Sequence, residues 1–170
     1  RGAEVVDSIF GAKEYRPENM VKLASIRERI MEDPVMGMPW WHDGVTKATY
    51  GRRHGELVAL GAGTGVGKTD FITQQINYDV TVLDQSVGII MLEQQPAETG
   101  RRLAGKYVGR KFHIPPSDDN QWTSEELAEG LDALEKNDRI ALYDHFGSAD
   151  YDKIEDFIRF LYHSEGTRIF

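Results

Sequence analysis

Glycine alternates with small residues in the run Ala62-Gly63-Thr64-Gly65-Val66-Gly67, which closes on Lys68-Thr69. Few backbones suit such a run. Glycine reaches left-handed conformations and leaves its amide open to a ligand. The apolar stretch Leu57-Val58-Ala59-Leu60 precedes the run, and Phe71, Ile72, Gln75 and Ile76 follow it at helical spacing. Strand, glycine loop and helix in that order predict a phosphate-binding P-loop, with Ala62 where the pattern usually opens on glycine. The strand is expected over 57–60 and buried on both faces. The helix is expected over about 68–80.

The residue types divide the chemistry among them. Backbone amides of Gly63, Thr64, Gly65, Val66 and Gly67 can curl around phosphate oxygens, and the helix that follows presents its positive end. Lys68 supplies a mobile cation for the outer phosphates, and the Thr69 hydroxyl is placed for magnesium. The ligand so predicted is ATP, or another nucleoside triphosphate such as dTTP, with Mg2+.

A second buried strand is predicted from Val87-Gly88-Ile89-Ile90-Met91-Leu92, ending at Glu93. Ligands in open parallel sheets lie beyond the carboxyl ends of strands, so Glu93 points to the same edge as the loop. On spacing alone it is either the base for a water attacking the γ-phosphate or a solvated strand-end carboxylate. Pro96 suits the first turn of a helix reaching about Gly109. Thr123 and Glu126 form a capping box ahead of Leu127, Leu131 and Leu134. Residues 140–143 read as a third strand. Tyr151, Ile154, Phe157, Ile158 and Leu161 mark a last helix, and 167–170 open a fourth strand. Strands alternating with helices imply an α/β fold whose parallel sheet has right-handed crossovers.

The first part of the chain reads differently. Residues 1–17 suit a linker. A helix over 18–31 carries Leu23, Ile26 and Ile30 on one stripe, and Pro34, Gly37 and Pro39 end it. Two domains are therefore expected, a linker and subunit-contact helix over 1–34 and an ATPase portion over 35–170. Residues 35–55 look irregular, anchored by Trp40 and Trp41. Arg52-Arg53-His54 reads as a solvated turn in preference to a phosphate contact. The two tandem tryptophans and Trp122 read as packing residues in preference to base-stacking ones. His42, His54, His113, His145 and His163 show no metal-ligand spacing.

Composition excludes several classes. The net charge of -8 argues against a chain-wide nucleic-acid surface, while leaving room for DNA-binding loops inside a channel. There is no cysteine, so disulfides and thiolate zinc sites are excluded. No run of about 18 apolar residues and no signal-like segment is visible, so a cytoplasmic protein with no membrane partner is expected. Arg1 at the start and the strand-like 167–170 at the end read as a piece of something longer.

Several segments together resemble the bifunctional primase-helicases of T-odd phages. They are Ser25-Ile26-Arg27-Glu28-Arg29-Ile30, the stretch from Gly55-Glu56-Leu57 to Thr69, Gln74-Gln75, Met91-Leu92-Glu93 with Ala97-Glu98-Thr99, and Leu142-Tyr143-Asp144. Twinkle and the DnaB-type helicases are more distant likenesses. The resemblance implies a RecA-like P-loop NTPase core, with a parallel sheet flanked by helices and a linker helix before it. It implies a homo-oligomeric, hexameric ring around single-stranded DNA, in a phage-infected or bacterial cell. It favours Glu93 as catalytic base, and Lys68 and Thr69 as the nucleotide and magnesium residues. A primase domain and a DNA polymerase are implied partners, and the linker helix would pack on a neighbouring subunit. A second acidic motif, the DNA loops and the arginine finger would follow Phe170, so the isolated chain is expected to be inactive alone. The expected function is an ATP-dependent replicative helicase motor. The alternative is a RecA-type recombinase or another P-loop ATPase that remodels a nucleoprotein or protein partner without unwinding.

Overall fold

The computed structural model describes residues 19–136 and 138–170, which fall into two compact units divided after Val35. In the first unit a 3-10 turn, Leu23–Ile26, runs into a single α-helical turn, α1, Arg27–Ile30. The expected helix over 18–31 is thus shorter among the described residues, and residues 19–22 stand outside it. Neither turn has a buried residue. Helices below about 12 residues rarely sustain themselves without a packed face.

The second unit is a mixed α/β structure. Its elements are α2 (Asp43–Thr49), α3 (Lys68–Thr81), β1 (Val87–Ile89), α4 (Pro96–Val108), α5 (Ser124–Glu135), β2 (Ile140–Leu142) and α6 (Tyr151–Phe160). A π-helical turn, Leu161–Glu165, extends α6. β1 and β2 pair in parallel, Val87 opposite Ile140 and Ile89 opposite Leu142. On the other edge of β1, Val87 bridges Ile169, and the Gly88 amide donates to the Ile169 carbonyl at 2.9 Å. The expected fourth strand is present as this single bridge.

Local signals explain the helices that carry the core. Pro96 occupies the first turn of α4, where a missing N–H costs nothing, and Gly109 ends it in the left-handed conformation at φ 80°. Thr123 caps α5, and the reciprocal bond from the Thr123 amide to Glu126 completes the capping box. Ile76 and Val80 of α3, Val87 and Ile89 of β1, Leu103 and Ala104 of α4, Phe112, and Leu134 of α5 form one buried cluster. Close approach of α4 and α5 depends on Gly130, because a Cβ there would lie 3.0 Å from the Ala104 carbonyl oxygen.

Two strand expectations are corrected. Residues 57–60 form no strand, and Leu57, Val58 and Leu60 are exposed. A parallel strand needs a neighbour for its backbone, and both edges of β1 are taken, by β2 and by Ile169. The strand expected to reach Glu93 stops at Ile89, because β2 offers only three paired residues. The described residues thus show a small two-stranded parallel sheet among six helices, and not the RecA-type core implied by the resemblance.

The region read as irregular holds α2. His42 starts it by accepting the Gly44 amide on Nδ1, and Tyr50 ends it at φ 58°. Arg52 is not a solvated turn residue. Its guanidinium grips the Asp79 carboxylate with both Nη atoms, donates to the Pro39 carbonyl at 3.1 Å and lies over the Trp40 ring at 5.1 Å. Asp79 also accepts from Gln75 at 2.9 Å, and Gln75 accepts the Trp41 amide. Trp40 and Trp41 pack on Phe71, and Trp122 packs edge-on against Phe112. The second half of α3 is thereby clamped to residues 38–52.

Candidate functional site

The glycine run becomes a loop ending at the first turn of α3. Gly65 and Gly67 stand at φ 76° and 93°, where a side chain is strained. No side chain caps Gly67, the residue that opens α3. The opening amides of a helix have no intrahelical partners and carry the positive end of the helix dipole. Lys68 folds back over the loop and donates from Nζ to the carbonyls of Ala62 at 2.9 Å and Gly63 at 3.0 Å. Gly63, Thr64, Gly65, Val66 and Gly67 are exposed, and Thr69 is half-buried on the first turn.

Glu93 lies beyond the carboxyl end of β1, exposed, on the connection to α4. It makes no hydrogen bond or ion pair among the described residues. The structure thus keeps Gly63 to Gly67 on one loop, with Lys68 and Thr69 on the helical turn that follows, and leaves Glu93 on a separate segment. Glu98, the next carboxylate along, is held by Arg102 at 2.9 Å.

Two residues beside the loop carry no local sequence signal. Asp70, on the first turn of α3, pairs with Lys106 from the last turn of α4 at 2.8 Å. The hydrogen bond from Lys106 holds the Asp70 carboxyl below its ordinary range, against the opposing pull of burial. His113 lies within the field of the same charges. Burial, and then Arg102, push its imidazole below the ordinary value. Partners 36 residues apart in the chain, such as Asp70 and Lys106, are joined only by the fold.

A nucleoside triphosphate fits what is present: an uncapped helix end, glycines in left-handed backbone, and one lysine at the loop. For magnesium the protein offers the Thr69 hydroxyl. Among the described residues no group of three or more His, Asp or Glu is placed to hold a metal ion. No helix there is long and apolar enough to cross a membrane.

No family model matches the chain. It is similar to a DNA helicase/primase of Enterobacteria phage T3, 27% identical over 158 residues. The chain is a distant relative of that phage protein. The match covers 88% of this chain and 28% of the helicase/primase, so the chain spans only part of its relative's length.

Proposed function

We propose that the chain is the nucleotide-binding part of an NTP-hydrolysing replicative DNA helicase. The observation that carries this is the glycine loop that ends on an uncapped helix with Lys68 beside it. Many P-loop proteins share such a loop. The distant relation to the T3 helicase/primase, across most of the chain, favours a helicase over a recombinase or a protein remodeller.

In this reading the amides of residues 63–67 bind the phosphates, and Lys68 leaves its two carbonyls to hold the outer ones. Thr69 would ligate magnesium, which when bound with nucleotide neutralises phosphate charge. Glu93 is the base that orients a water and takes its proton. It has no partner to release first. The exposed apolar residues Met20, Val21, Leu23, Ile30 and Met31 suit a contact with a neighbouring subunit of a ring around single-stranded DNA.

Titration with a fluorescent ATP analogue and Mg2+ tests the site. Lys68→Ala removes a charge-assisted contact and should weaken binding roughly ten-fold or more. In the intact protein, Glu93→Gln should bind nucleotide normally and hydrolyse it about a hundred-fold more slowly, with unwinding of a forked duplex lost in proportion. Normal affinity in Lys68→Ala would falsify the loop assignment. Hydrolysis without any unwinding by the intact wild-type protein would favour the recombinase or remodelling alternative.

A further inference from the structure

Asp70 is an unexpected residue to find at the mouth of a phosphate site. It occupies the first turn of α3, where anionic ligands and its carboxylate compete for the same positive helix end. Its Cβ lies 3.9 Å from where a Cβ on Gly67 would stand, so the side chain borders the last residue of the loop. Among the described residues the one cation that touches it is Lys106, at 2.8 Å from α4. Lys106 is largely covered, and Arg102 stands close enough to act on the same carboxylate. With Lys106 in place, the charge of Asp70 is balanced and that of Lys68 remains for the ligand. Without it, Asp70 offsets Lys68.

We infer that Lys106 is a positioning residue for nucleotide, which by pairing with Asp70 withdraws a negative charge from the path of the phosphates. The inference rests on the proposed P-loop reading and adds a residue from a different helix to it. Lys106 touches no part of the loop itself among the described residues. It acts through Asp70, so its effect must vanish when Asp70 loses its charge.

The effect of removing charge at the site is measured with the 170-residue chain, a fluorescent ATP analogue and Mg2+. Lys106→Met should weaken binding about two- to five-fold, the usual scale for a single charge at a helix N-terminus. Lys106→Arg should retain wild-type affinity. Asp70→Asn should bind slightly more tightly than wild type. Adding Asp70→Asn to Lys106→Met should restore the affinity that Lys106→Met lost, which a merely structural role of Lys106 would not allow. Lys68→Ala, measured alongside, reports on the loop separately. Unchanged affinity in Lys106→Met, with binding lost in Lys68→Ala, overturns the inference and leaves the P-loop reading standing. A double variant as weak as Lys106→Met also overturns it. Wild-type affinity in Lys68→Ala removes the P-loop reading, and the inference with it.

Discussion

Leu57 and Leu103 are both leucines in apolar stretches, yet Leu57 is 99% exposed and Leu103 is 1% exposed. Leu103 belongs to α4, which closes its backbone hydrogen bonds within itself and needs only a surface on which to lay its apolar stripe. Residues 57–60 need a sheet edge for their amides and carbonyls, and none is free beside β1. Burying an unpaired backbone costs more than burying leucine returns. The same contrast runs along α3. From Thr73 onward it buries Thr73, Gln75, Ile76, Asn77, Asp79 and Val80, while Lys68 and Asp70 open toward solvent. Backbone pairing, not hydropathy, decides which apolar residues enter the core. It also leaves the Lys68 end of α3 accessible while the other end is clamped.

The clamp is where the largest effect is expected. Asp79 is 1% exposed, and its only cationic partner among the described residues, Arg52, is 11% exposed. Asp79→Ala strands a guanidinium in a nearly closed site, and breaking one partner of such a pair costs roughly 3–5 kcal/mol. Denaturant unfolding should show a loss on that scale. Replacing both, Arg52→Met with Asp79→Leu, should recover most of it. A small loss in Asp79→Ala would mean that the clamped half of α3 is as open as its first turn.

Much of the clamped side was legible in the residues. Pro96, Gly109 and the Thr123–Glu126 box mark α4 and α5 by mechanisms that act within one turn, so distance along the chain does not blur them. The Arg52–Asp79 pair spans 27 residues and leaves no such trace. α2 escaped notice because histidine caps it and tyrosine ends it, where serine and glycine are the usual signals. Residues 57–60 read as a strand because hydropathy reports what could be buried and is silent on pairing. For the same reason the spacing that placed Glu93 at a strand end missed that β1 stops at Ile89. The loop itself was plain, since left-handed backbone at Gly65 and Gly67 demands glycine.

Acid should act on His113 and Asp70 in separate pH windows. His113 is half-buried, with Nδ1 shielded and unpartnered. Its folded pKa lies below the ordinary 6.5, so the unfolded chain binds more protons. Stability is therefore lost as pH falls through about 6.5 toward the folded value. Asp70 is also depressed, but from 3.8. Its contribution is present above that value and lost as pH falls through the lower folded pKa. It is modest, because the pair is exposed on the Asp70 side. Melting curves of His113→Gln should be flatter than wild type below about pH 6.5, and those of Asp70→Asn only below about pH 4. Equal slopes in wild type and His113→Gln would place His113 in open solvent.

The smallest effect should come from the leucine that opened the contrast. Leu57→Ser removes a side chain with almost no contacts in the 170-residue chain, and exposed substitutions of this kind stay within about 0.5 kcal/mol. Leu103→Ser, at the centre of the cluster, loses its transfer energy, leaves a cavity and buries a hydroxyl. The ratio of the two losses measures how far apart the regions are. It also tests whether pairing is what keeps residues 57–60 outside. In any longer form of the protein where those residues acquire a strand neighbour, Leu57 becomes a core residue, and Leu57→Ser should then cost about 1.5–3 kcal/mol. A large loss in the 170-residue chain itself would show that residues 57–60 are already packed without a partner strand, and the argument from backbone pairing would fail.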